Sequence, residues 1–509
     1  MAAPKFCIVG GGVSGLTCAR LLQRSLPHAQ VTVLEASERL GGLVRTSKGA
    51  KSQIFEDGFH SSILVNKNGR EALGLIKLLK LEDEVIGANI EASARRHLLH
   101  RGSVRLVPGP HHVLLYGPAL MAEPLWPRSK DADESVYDFV ARRASKTLAK
   151  NLADPICRGQ LAGDAKELSV RTCFPRLWHN ERRFGSVFLG AALSTFLAYR
   201  HRSWMALDLL DPLLQRIAAG GRSYSFRTGL MSLIDALEEQ LLNPAPGTNA
   251  VEIRRNSAID RLQAPKDGTK AQVLLRDGSR VEADCVIAAI QPTVLGELLK
   301  TSGLDLSVST GQSLCQLLEE IKNKSVAVVN ISYDKDVLKE RRLRGAGYFV
   351  GSSENHESML GMCWDSQLFP EHAGADSARM TLYFDASNTY SSSEGQSEKS
   401  LEVAATAAVA THLGVKETPS EIRVNLWHDA VPQYLVGHHQ RMQELIAVRR
   451  RHLPWLQVSG PGYFGTRNVA DEIVDARELT DSLARRFARF PGLVENELDE
   501  DSLRRMDGF

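Results

Sequence analysis

Near its start the chain reads KFCIVGGGVSGLTCARLLQRSLPHAQVTVLEASERLGGLVR, from Lys5 to Arg45. Phe6–Val9 is a short apolar run typical of a strand, and it leads directly into GGGVSG at residues 10–15, which fits the pattern G-x-G-x-x-G. A stretch with helical apolar spacing follows, and Val31–Leu34 predicts a second strand that ends on Glu35. Strand, glycine turn, helix, strand and acid, in this order, are the context that a dinucleotide-binding unit requires.

The glycines and the acid of this unit each have a physical role. Gly10 permits a tight turn, Gly12 lets the backbone approach a pyrophosphate, and Gly15 lets the helix lie close to the strand. Free N–H groups at the start of the helix favour an anion there. Glu35 follows Gly15 by about 20 residues, where a carboxylate accepts from ribose hydroxyls. We therefore expect a bound dinucleotide; the alternative is a tight turn without a ligand.

A second glycine pattern follows the acid. Residues 35–45 fit E-x3-R-x-G-G-x3-R, which NAD binding does not require. This pattern resembles the second glycine motif of the superfamily of FAD-dependent amine oxidases, phytoene desaturases and protoporphyrinogen oxidases. In that superfamily the glycine pair turns beside the FAD diphosphate, with the arginines near it. The alternative is a surface turn with two solvated arginines.

The resemblance implies FAD as the cofactor. Because no cysteine lies after Cys363, a flavin-linked cysteine near the C-terminus is absent and we expect non-covalent binding. The residues expected to contact FAD are Gly10, Gly11, Gly12, Val13, Ser14, Gly15, Glu35, Ala36, Arg39, Gly41, Gly42, Leu43, Gly58, Phe59, His60, Ser61, Ala258, Pro461, Val469 and Asp471.

Composition excludes several other classes of protein. The 509 residues suggest more than one domain, and the 43% apolar and 24% charged fractions are ordinary for a globular chain. A net charge of +2 gives no reason to expect nucleic acid as a partner. The seven cysteines are scattered without a C-x-x-C, which argues against a disulfide framework and a zinc site. We expect no metal.

Two later motifs narrow the resemblance to the protoporphyrinogen oxidase family. Residues 157–175 fit C-R-G-x3-G-x3-E-L-S-x-R-x-C-F-P, and residues 431–438 read VPQYLVGH. The implied reaction is the oxidation of protoporphyrinogen IX to protoporphyrin IX in haem biosynthesis. Hydride passes to flavin N5 in three two-electron steps, and oxygen reoxidises the flavin to give hydrogen peroxide. No catalytic side chain is implied, because the cofactor carries the redox chemistry.

The implied substrate is a large apolar macrocycle with two propionates, which needs an apolar cavity and at least one cation. Arg96 matches the position of an arginine that pairs with a propionate in this family. The alternative for Arg96 is a solvated loop arginine beside Arg95. The other residues that match cavity positions are Ile156, Gly159, Ala346, Phe349 and Tyr383.

Phe184–Tyr199 reads FGSVFLGAALSTFLAY, has no charged residue and is bracketed by arginines. It is shorter than a typical transmembrane span of about 20 residues. The alternatives are a buried core helix and a helix that meets a bilayer from one side. The resemblance implies the second, with peripheral attachment to the mitochondrial inner membrane. It also suggests a homodimer and contacts with neighbouring haem-pathway enzymes. Because the first strand begins near residue 5, we expect no cleavable presequence.

The expected fold is α/β (α+β overall): a Rossmann-like FAD-binding domain of the p-hydroxybenzoate hydroxylase type, a mixed-sheet substrate domain and a helical membrane-binding segment. Residues 1–91, 221–295 and 450–483 would form the FAD-binding domain. Residues 205–220 and 296–449 would form the substrate-binding domain. Residues 97–204 would be the helical segment, and residues 484–509 a charged C-terminal tail.

The C-terminal motif departs from the family. Gly460–Arg477 has one inserted residue, Glu472 stands in place of the usual cysteine, and Arg467 and Asn468 enter a normally apolar stretch. We expect Asp471 to cap the helix that follows, and FAD to bind more loosely than is usual. Two alternatives stay open, and these departures bear on the second of them. One is another flavin amine oxidase or desaturase, and the other is a weakly active FAD-binding homologue that acts as an interaction partner.

Overall fold

The computed structural model describes residues 3–489 except 59–61, 65, 108–116, 119, 201–211, 220, 222, 267–268, 310, 355–357, 374–375 and 388–393. The strands are β1 Lys5–Val9, β2 Gln30–Leu34, β3 Thr46–Lys48, β4 Ile54–Glu56, β5 Ile63–Leu64, β6 Val85–Gly87, β7 Arg96–His100, β8 Ser103–Val107, β9 Ser223–Phe226, β10 Glu252–Arg254, β11 Ile259–Gln263, β12 Ala271–Leu275, β13 Arg280–Ala283, β14 Cys285–Ala288, β15 Asn323–Tyr333, β16 Gly347–Val350, β17 Met359–Cys363, β18 Ala378–Asp385, β19 Glu421–Pro432 and β20 Leu456–Val458.

The α-helices span Val13–Ser25, Lys67–Leu78, Ile90–Ala94, Val136–Arg143, Lys146–Leu148, Asp154–Leu161, Val170–Cys173, Pro175–Phe184, Val187–Arg200, Pro212–Ala219, Met231–Leu242, Pro292–Thr301, Leu314–Glu319, Val337–Glu340, Asp365–Leu368, Glu394–Leu413, His438–His452 and Val469–Arg489. Below, Val13–Ser25 is the first helix and Val469–Arg489 is the C-terminal helix. A π-helical turn covers Ala149–Ala153, and short 3-10 turns include Glu123–Leu125.

A parallel five-stranded sheet in the order β10-β2-β1-β14-β20 forms the nucleotide-binding part of the fold. From Phe6 to Val9 its central strand β1 is apolar, because both faces of the sheet are covered. Phe6 and Ile8 pack into the core that includes the first and C-terminal helices, while Cys7 and Val9 pack into the core on the opposite face. The sheet draws its strands from three separated parts of the chain, and the Rossmann-like α/β fold predicted from the sequence is confirmed.

The second large sheet has seven strands in the order β19-β15-β18-β17-β16-β7-β8 and is mixed, since β16 and β7 are parallel and the other pairs are antiparallel. The sequence assigned residues 97–107 to a helical segment, whereas the structure places β7 and β8 there, at the edge of this sheet. Arg101 and Gly102 have positive φ angles of 49° and 69°, which is the backbone of a two-residue hairpin turn. The strand signal is weak because β8 is half exposed along its length.

The helix Asp154–Leu161 packs against β16 and β17 of the mixed sheet and shares a buried core with the helices Val136–Arg143 and Val170–Cys173. The helix Val187–Arg200 contains most of the long apolar run, and the side chains of Phe188 and Leu189 are exposed. No helix among the described residues is long and apolar enough to cross a bilayer. At the other end of the chain, the C-terminal helix continues to Arg489, so residues 484–489 are helical rather than part of a tail.

Candidate functional site

The glycine turn between β1 and the first helix is built by close backbone approaches. Gly10 has a φ of +108°, and a Cβ added there would lie 2.4 Å from the Ala289 oxygen. A Cβ on Gly15 would lie 2.0 Å from the Gly10 oxygen. Gly12 is different, because its φ is −78° and an added Cβ would meet nothing closer than the Gly42 Cα at 3.8 Å. The space beside Gly12 therefore fits a group that approaches the backbone at the start of the first helix.

Glu35 lies at the carboxyl end of β2, next to the glycine turn. Its Oε2 accepts a hydrogen bond from the Gly11 N–H at 2.8 Å, and its Oε1 accepts from the Ser37 N–H at 2.8 Å. Oε1 also accepts from the Ser37 hydroxyl at 2.8 Å, so Oε2 is the oxygen that keeps a further lone-pair site for a ligand hydroxyl. The Ser257 N–H donates to the Glu35 backbone oxygen, which brings Ala258 to the same end of the sheet as Glu35 and Ala36. This grouping suits the ribose end of a dinucleotide.

The second glycine pair packs against the first turn. Gly41 donates its N–H to the Gly11 oxygen at 2.9 Å, and both Gly41 and Gly42 have positive φ. The Arg39 guanidinium donates to the Gly42 oxygen at 2.5 Å and lies 5.4 Å from the centre of the Trp427 ring. The two turns are thereby fixed side by side, with Gly42 exposed opposite Gly12. Together they form a cradle without side chains that fits a diphosphate.

Leu43 and Gly58 complete this side of the site. A Cβ on Gly58 would lie 2.1 Å from the Leu43 oxygen, so glycine is required by close packing. Leu43 packs against the buried cluster that includes Val431 and Ala430. The predicted contacts Phe59, His60 and Ser61 lie outside the described residues.

Asn468, rather than Asp471, caps the C-terminal helix. Its side-chain oxygen accepts from the Asp471 N–H at 3.1 Å. The Asp471 carboxylate instead points back across the cap and accepts from the Arg467 N–H at 3.1 Å and from the Asn68 amide at 2.8 Å. The prediction that Asp471 caps this helix is therefore wrong. Val469 is the buried first residue of the helix.

Pro461 lies in the loop before the C-terminal helix. Asp475, a residue of that helix, holds this loop by hydrogen bonds. The neighbours of Pro461, Gly460 and Gly462, have positive φ, and the Gly460 N–H donates to Asp475 Oδ2 at 3.0 Å. Ser459 donates its hydroxyl to the same oxygen at 2.6 Å. The loop is therefore held rigidly where it passes the N-terminus of the first helix.

Glu472 lies in the first turn of the C-terminal helix and is 6% exposed. The Ser14 hydroxyl donates to its Oε2 at 2.7 Å, and the Ser14 backbone N–H also hydrogen-bonds this carboxylate. Burial raises the pKa of Glu472 to about 7, partly offset by these hydrogen bonds. Glu472 thus accepts hydrogen bonds from Ser14, next to the glycine turn. In a dinucleotide site, donors at this position would bind the anionic diphosphate. The turn and Glu35 fit FAD, while Glu472 competes for part of its contact surface.

A cavity of about 400 Å³ lies between the mixed sheet and the helix Asp154–Leu161, and we call it the apolar cavity. Five of the six residues predicted to contact substrate line it: Arg96, Gly159, Ala346, Phe349 and Tyr383. Ile156 is not among its lining residues and lies one turn before Gly159. Among the described residues that line the cavity, Arg96 and Arg467 are the arginines, and there is no aspartate or glutamate.

Sequence reasoning did not assign several lining residues of the apolar cavity, and the most consequential are Arg467 and Asn468. Both had been noted only as departures from the family text. His97 also lines the cavity, and burial lowers its pKa, which keeps the imidazole neutral near pH 7. A second cavity of about 440 Å³, the polar cavity, adjoins the first and shares Asn66, Phe174 and Arg467 with it. In the part of the chain that is described, no cluster of three or more possible metal ligands occurs.

These features are typical of flavin-dependent oxidoreductases, and comparison with known proteins agrees. A family model described as flavin containing amine oxidoreductase matches residues 13–455. The protoporphyrinogen oxidase of Homo sapiens is 32% identical over 491 residues, which cover 94% of this chain and 97% of that protein. The enzyme of Bos taurus is 32% identical over 492 residues, covering 92% and 96%. The chain therefore belongs to the flavin containing amine oxidoreductase family, and to the protoporphyrinogen oxidase group within it.

Solved structures show the same fold. A protein from Exiguobacterium proposed to be a protoporphyrinogen oxidase superposes with a TM-score of 0.73 at 21% identity, covering 95% of this chain and 99% of that one. Cyclohexylamine oxidase from Brevibacterium oxydans superposes with a TM-score of 0.65 at 14% identity, covering 96% and 100%. At these identities the likeness concerns the fold alone.

Proposed function

We propose that this chain holds FAD non-covalently and oxidises protoporphyrinogen IX to protoporphyrin IX. The observation that carries the proposal is the apolar cavity: its described lining combines apolar walls with two arginines and contains no carboxylate. Its volume of about 400 Å³ falls within the range of roughly 300–1,000 Å³ that is usual for small-molecule sites. An apolar molecule with carboxylate substituents matches this lining in both shape and charge.

The side chains and backbone of this protein would bind and position FAD and the substrate. Glu35 would accept from the ribose, and the cradle between Gly12 and Gly42 would receive the diphosphate. FAD, when bound, would supply the two-electron acceptor for a substrate hydride, with oxygen as final oxidant and hydrogen peroxide as its product. Phe349 and Tyr383 in the cavity wall would exclude water and hold the macrocycle, and Arg96 would pair with a propionate.

The test is the visible spectrum of the purified protein before and after protoporphyrinogen is added without oxygen. We expect a flavin band that bleaches on addition, and protoporphyrin fluorescence that appears in proportion to it. Absence of a flavin band would overturn the cofactor assignment. A flavin band that persists, with no porphyrin formed, would instead support the second candidate function, an FAD-binding interaction partner of weak activity. The contact between Glu472 and Ser14 is the observation that favours this candidate.

We further propose that the protein attaches peripherally to the mitochondrial inner membrane. Five exposed apolar side chains support this, and together we call them the apolar tip: Met121 (83% exposed), Leu125 (86%), Trp126 (48%), Phe188 (46%) and Leu189 (48%). They belong to two segments that the buried acid Glu123 holds together, because it accepts from the Val187 N–H at 2.9 Å. The homodimer and the contacts with neighbouring haem-pathway enzymes stay predictions from the family resemblance.

A further inference from the structure

We infer that Arg467 is a second carboxylate-binding residue of the apolar cavity, which acts together with Arg96 to hold both propionates of the substrate. The inference rests on the proposed function and concerns substrate recognition within the same site. It assigns a role to a residue that lies in the inserted part of the C-terminal motif.

The guanidinium of Arg467 has more donors than partners. Its Nη1 donates to the Cys173 backbone oxygen. Its Nε forms an ion pair with Asp471 Oδ2 at 3.6 Å, a distance too long for a hydrogen bond, and among the described residues this buried nitrogen has no hydrogen-bond partner. That Asp471 oxygen already accepts from the Arg467 N–H and from the Asn468 amide at 3.0 Å. An arginine carries five N–H donors; since Nε is buried and one Nη1 donor binds the Cys173 oxygen, the other Nη donors of Arg467 are those that a ligand could accept from.

Arg467 places its positive charge at the wall of the apolar cavity. The apolar cavity has Phe174 and Phe349 in its described lining and no aspartate or glutamate, so the carboxylate that pairs with Arg467, that of Asp471 at 3.6 Å, lies outside this lining. Asp471 attracts the guanidinium from the side of the polar cavity, which it lines, and does not line the apolar cavity. A cation at an apolar wall is stabilised when an anion pairs with it there. The carboxylate of a bound ligand would supply that anion.

The two arginines belong to different walls. Arg96 is the first residue of β7, whose neighbour β16 follows Ala346, and the Ala346 N–H donates to the Arg95 oxygen. Arg467 precedes the C-terminal helix and contacts the end of the helix Val170–Cys173. Because the two cations stand on separate elements, an apolar dianion would be held at two points and in one orientation, whereas a monoanion would be held at one.

The experiment measures equilibrium binding of protoporphyrin IX and of its dimethyl ester by porphyrin fluorescence, with the flavin-containing protein. Arg467→Gln should weaken binding of the diacid by about tenfold or more, as the loss of a charge-assisted contact predicts, and leave the dimethyl ester unchanged. Arg467→Lys should keep most of the preference for the diacid. The matched control is Arg176→Gln, because Arg176 lines the polar cavity but not the apolar one, and it should change neither affinity.

Arg96→Gln provides a test that does not require Arg467 to be altered. This variant should still bind the diacid more tightly than the dimethyl ester, because Arg467 remains. Equal binding of the two ligands by Arg96→Gln, or unchanged diacid binding by folded Arg467→Gln, would overturn the inference and leave the proposed function standing. If the unaltered protein binds neither porphyrin, the proposed function itself fails and the inference fails with it.

Discussion

Ser14 and Glu472 are joined by a hydrogen bond of 2.7 Å that ties the glycine turn to the first turn of the C-terminal helix. Asp471 and Asp475 are buried on either side of Glu472, so three acids meet at the N-terminus of one helix. The helix dipole favours negative charge there. Burial of the charged Glu472 carboxylate costs more free energy than the helix dipole offsets, and the negative charges of Asp471 and Asp475 add to this cost. The pKa of Glu472 therefore rises to about 7.

Flavin retention should therefore depend on pH. Above about pH 7 Glu472 ionises, and its charge would repel a diphosphate at the same turn. We expect more flavin to survive gel filtration at pH 6 than at pH 8, and Glu472→Gln to remove the difference. Equal retention at both pH values in the unaltered protein would show that Glu472 does not face the cofactor.

The Glu472 carboxyl should also make the stability of the flavin-free protein depend on pH. An unfolded glutamate ionises near its ordinary value of 4.5, whereas the buried Glu472 keeps its proton up to about pH 7. Because the folded pKa is the higher one, the contribution of Glu472 to stability is fully present below about pH 4.5 and is lost as the pH rises to about 7. Glu472→Cys, which restores the residue usual in the family, should flatten this loss and raise the flavin midpoint potential.

Substitution by alanine should affect flavin binding at Gly12 and folding stability at Gly15. Gly12→Ala adds a Cβ with no atom closer than 3.8 Å, so the protein should fold and unfold in urea as before but lose its flavin absorption band. Gly15→Ala places its Cβ 2.0 Å from the Gly10 oxygen and should destabilise the fold itself, by about 1–3 kcal/mol. A Gly12→Ala protein with full flavin would contradict the position of the diphosphate.

The nucleotide-binding half of the fold could be predicted from the sequence because its signals are local. The β1 run, the glycines and Glu35 follow one another along the chain, and each role depends on neighbours in sequence. The apolar cavity is different, since it forms where β7, β16 and the helix Asp154–Leu161 meet. Its residues could be predicted only from the resemblance to a family. That resemblance also gave one wrong position, because Ile156 lies one helical turn before Gly159 and does not line the cavity.

Two features could not be predicted for physical reasons. The hairpin of β7 and β8 is short and half exposed, so it lacks the alternation of a buried strand. The cap of the C-terminal helix depends on which of two candidates three residues apart, Asn468 or Asp471, stands just before the first helical residue, Val469. Both residue types are good caps, so the residue types alone do not decide between them. The residue before the cap, Arg467, lies at the cavity wall.

The apolar tip should control membrane attachment. Phe188→Glu with Leu125→Glu should move the protein from the membrane pellet to the soluble fraction, because charged side chains disfavour burial among lipid tails. Since both side chains are exposed, the urea midpoint should stay unchanged. Val403→Glu is the matched control, as Val403 is 69% exposed on the helix Glu394–Leu413, and it should pellet normally. Retention of the double variant in the pellet would contradict the proposed attachment surface.

The buried pair Glu123 and Arg143 should determine whether the apolar tip keeps its shape. Arg143 Nε donates to Glu123 Oε1 at 2.7 Å, and its other nitrogens donate to the backbone oxygens of Trp126 and Gly185 at 2.8 Å. Arg143→Met leaves the Glu123 carboxylate buried and without its cation, at a cost of about 3–5 kcal/mol. We expect an early unfolding step in urea and proteolytic cleavage near the tip, while the flavin band is retained. Adding Glu123→Gln to Arg143→Met should recover part of the loss, because it removes the uncompensated charge. If the double variant is no more stable than Arg143→Met alone, the pair acts through packing and not through charge.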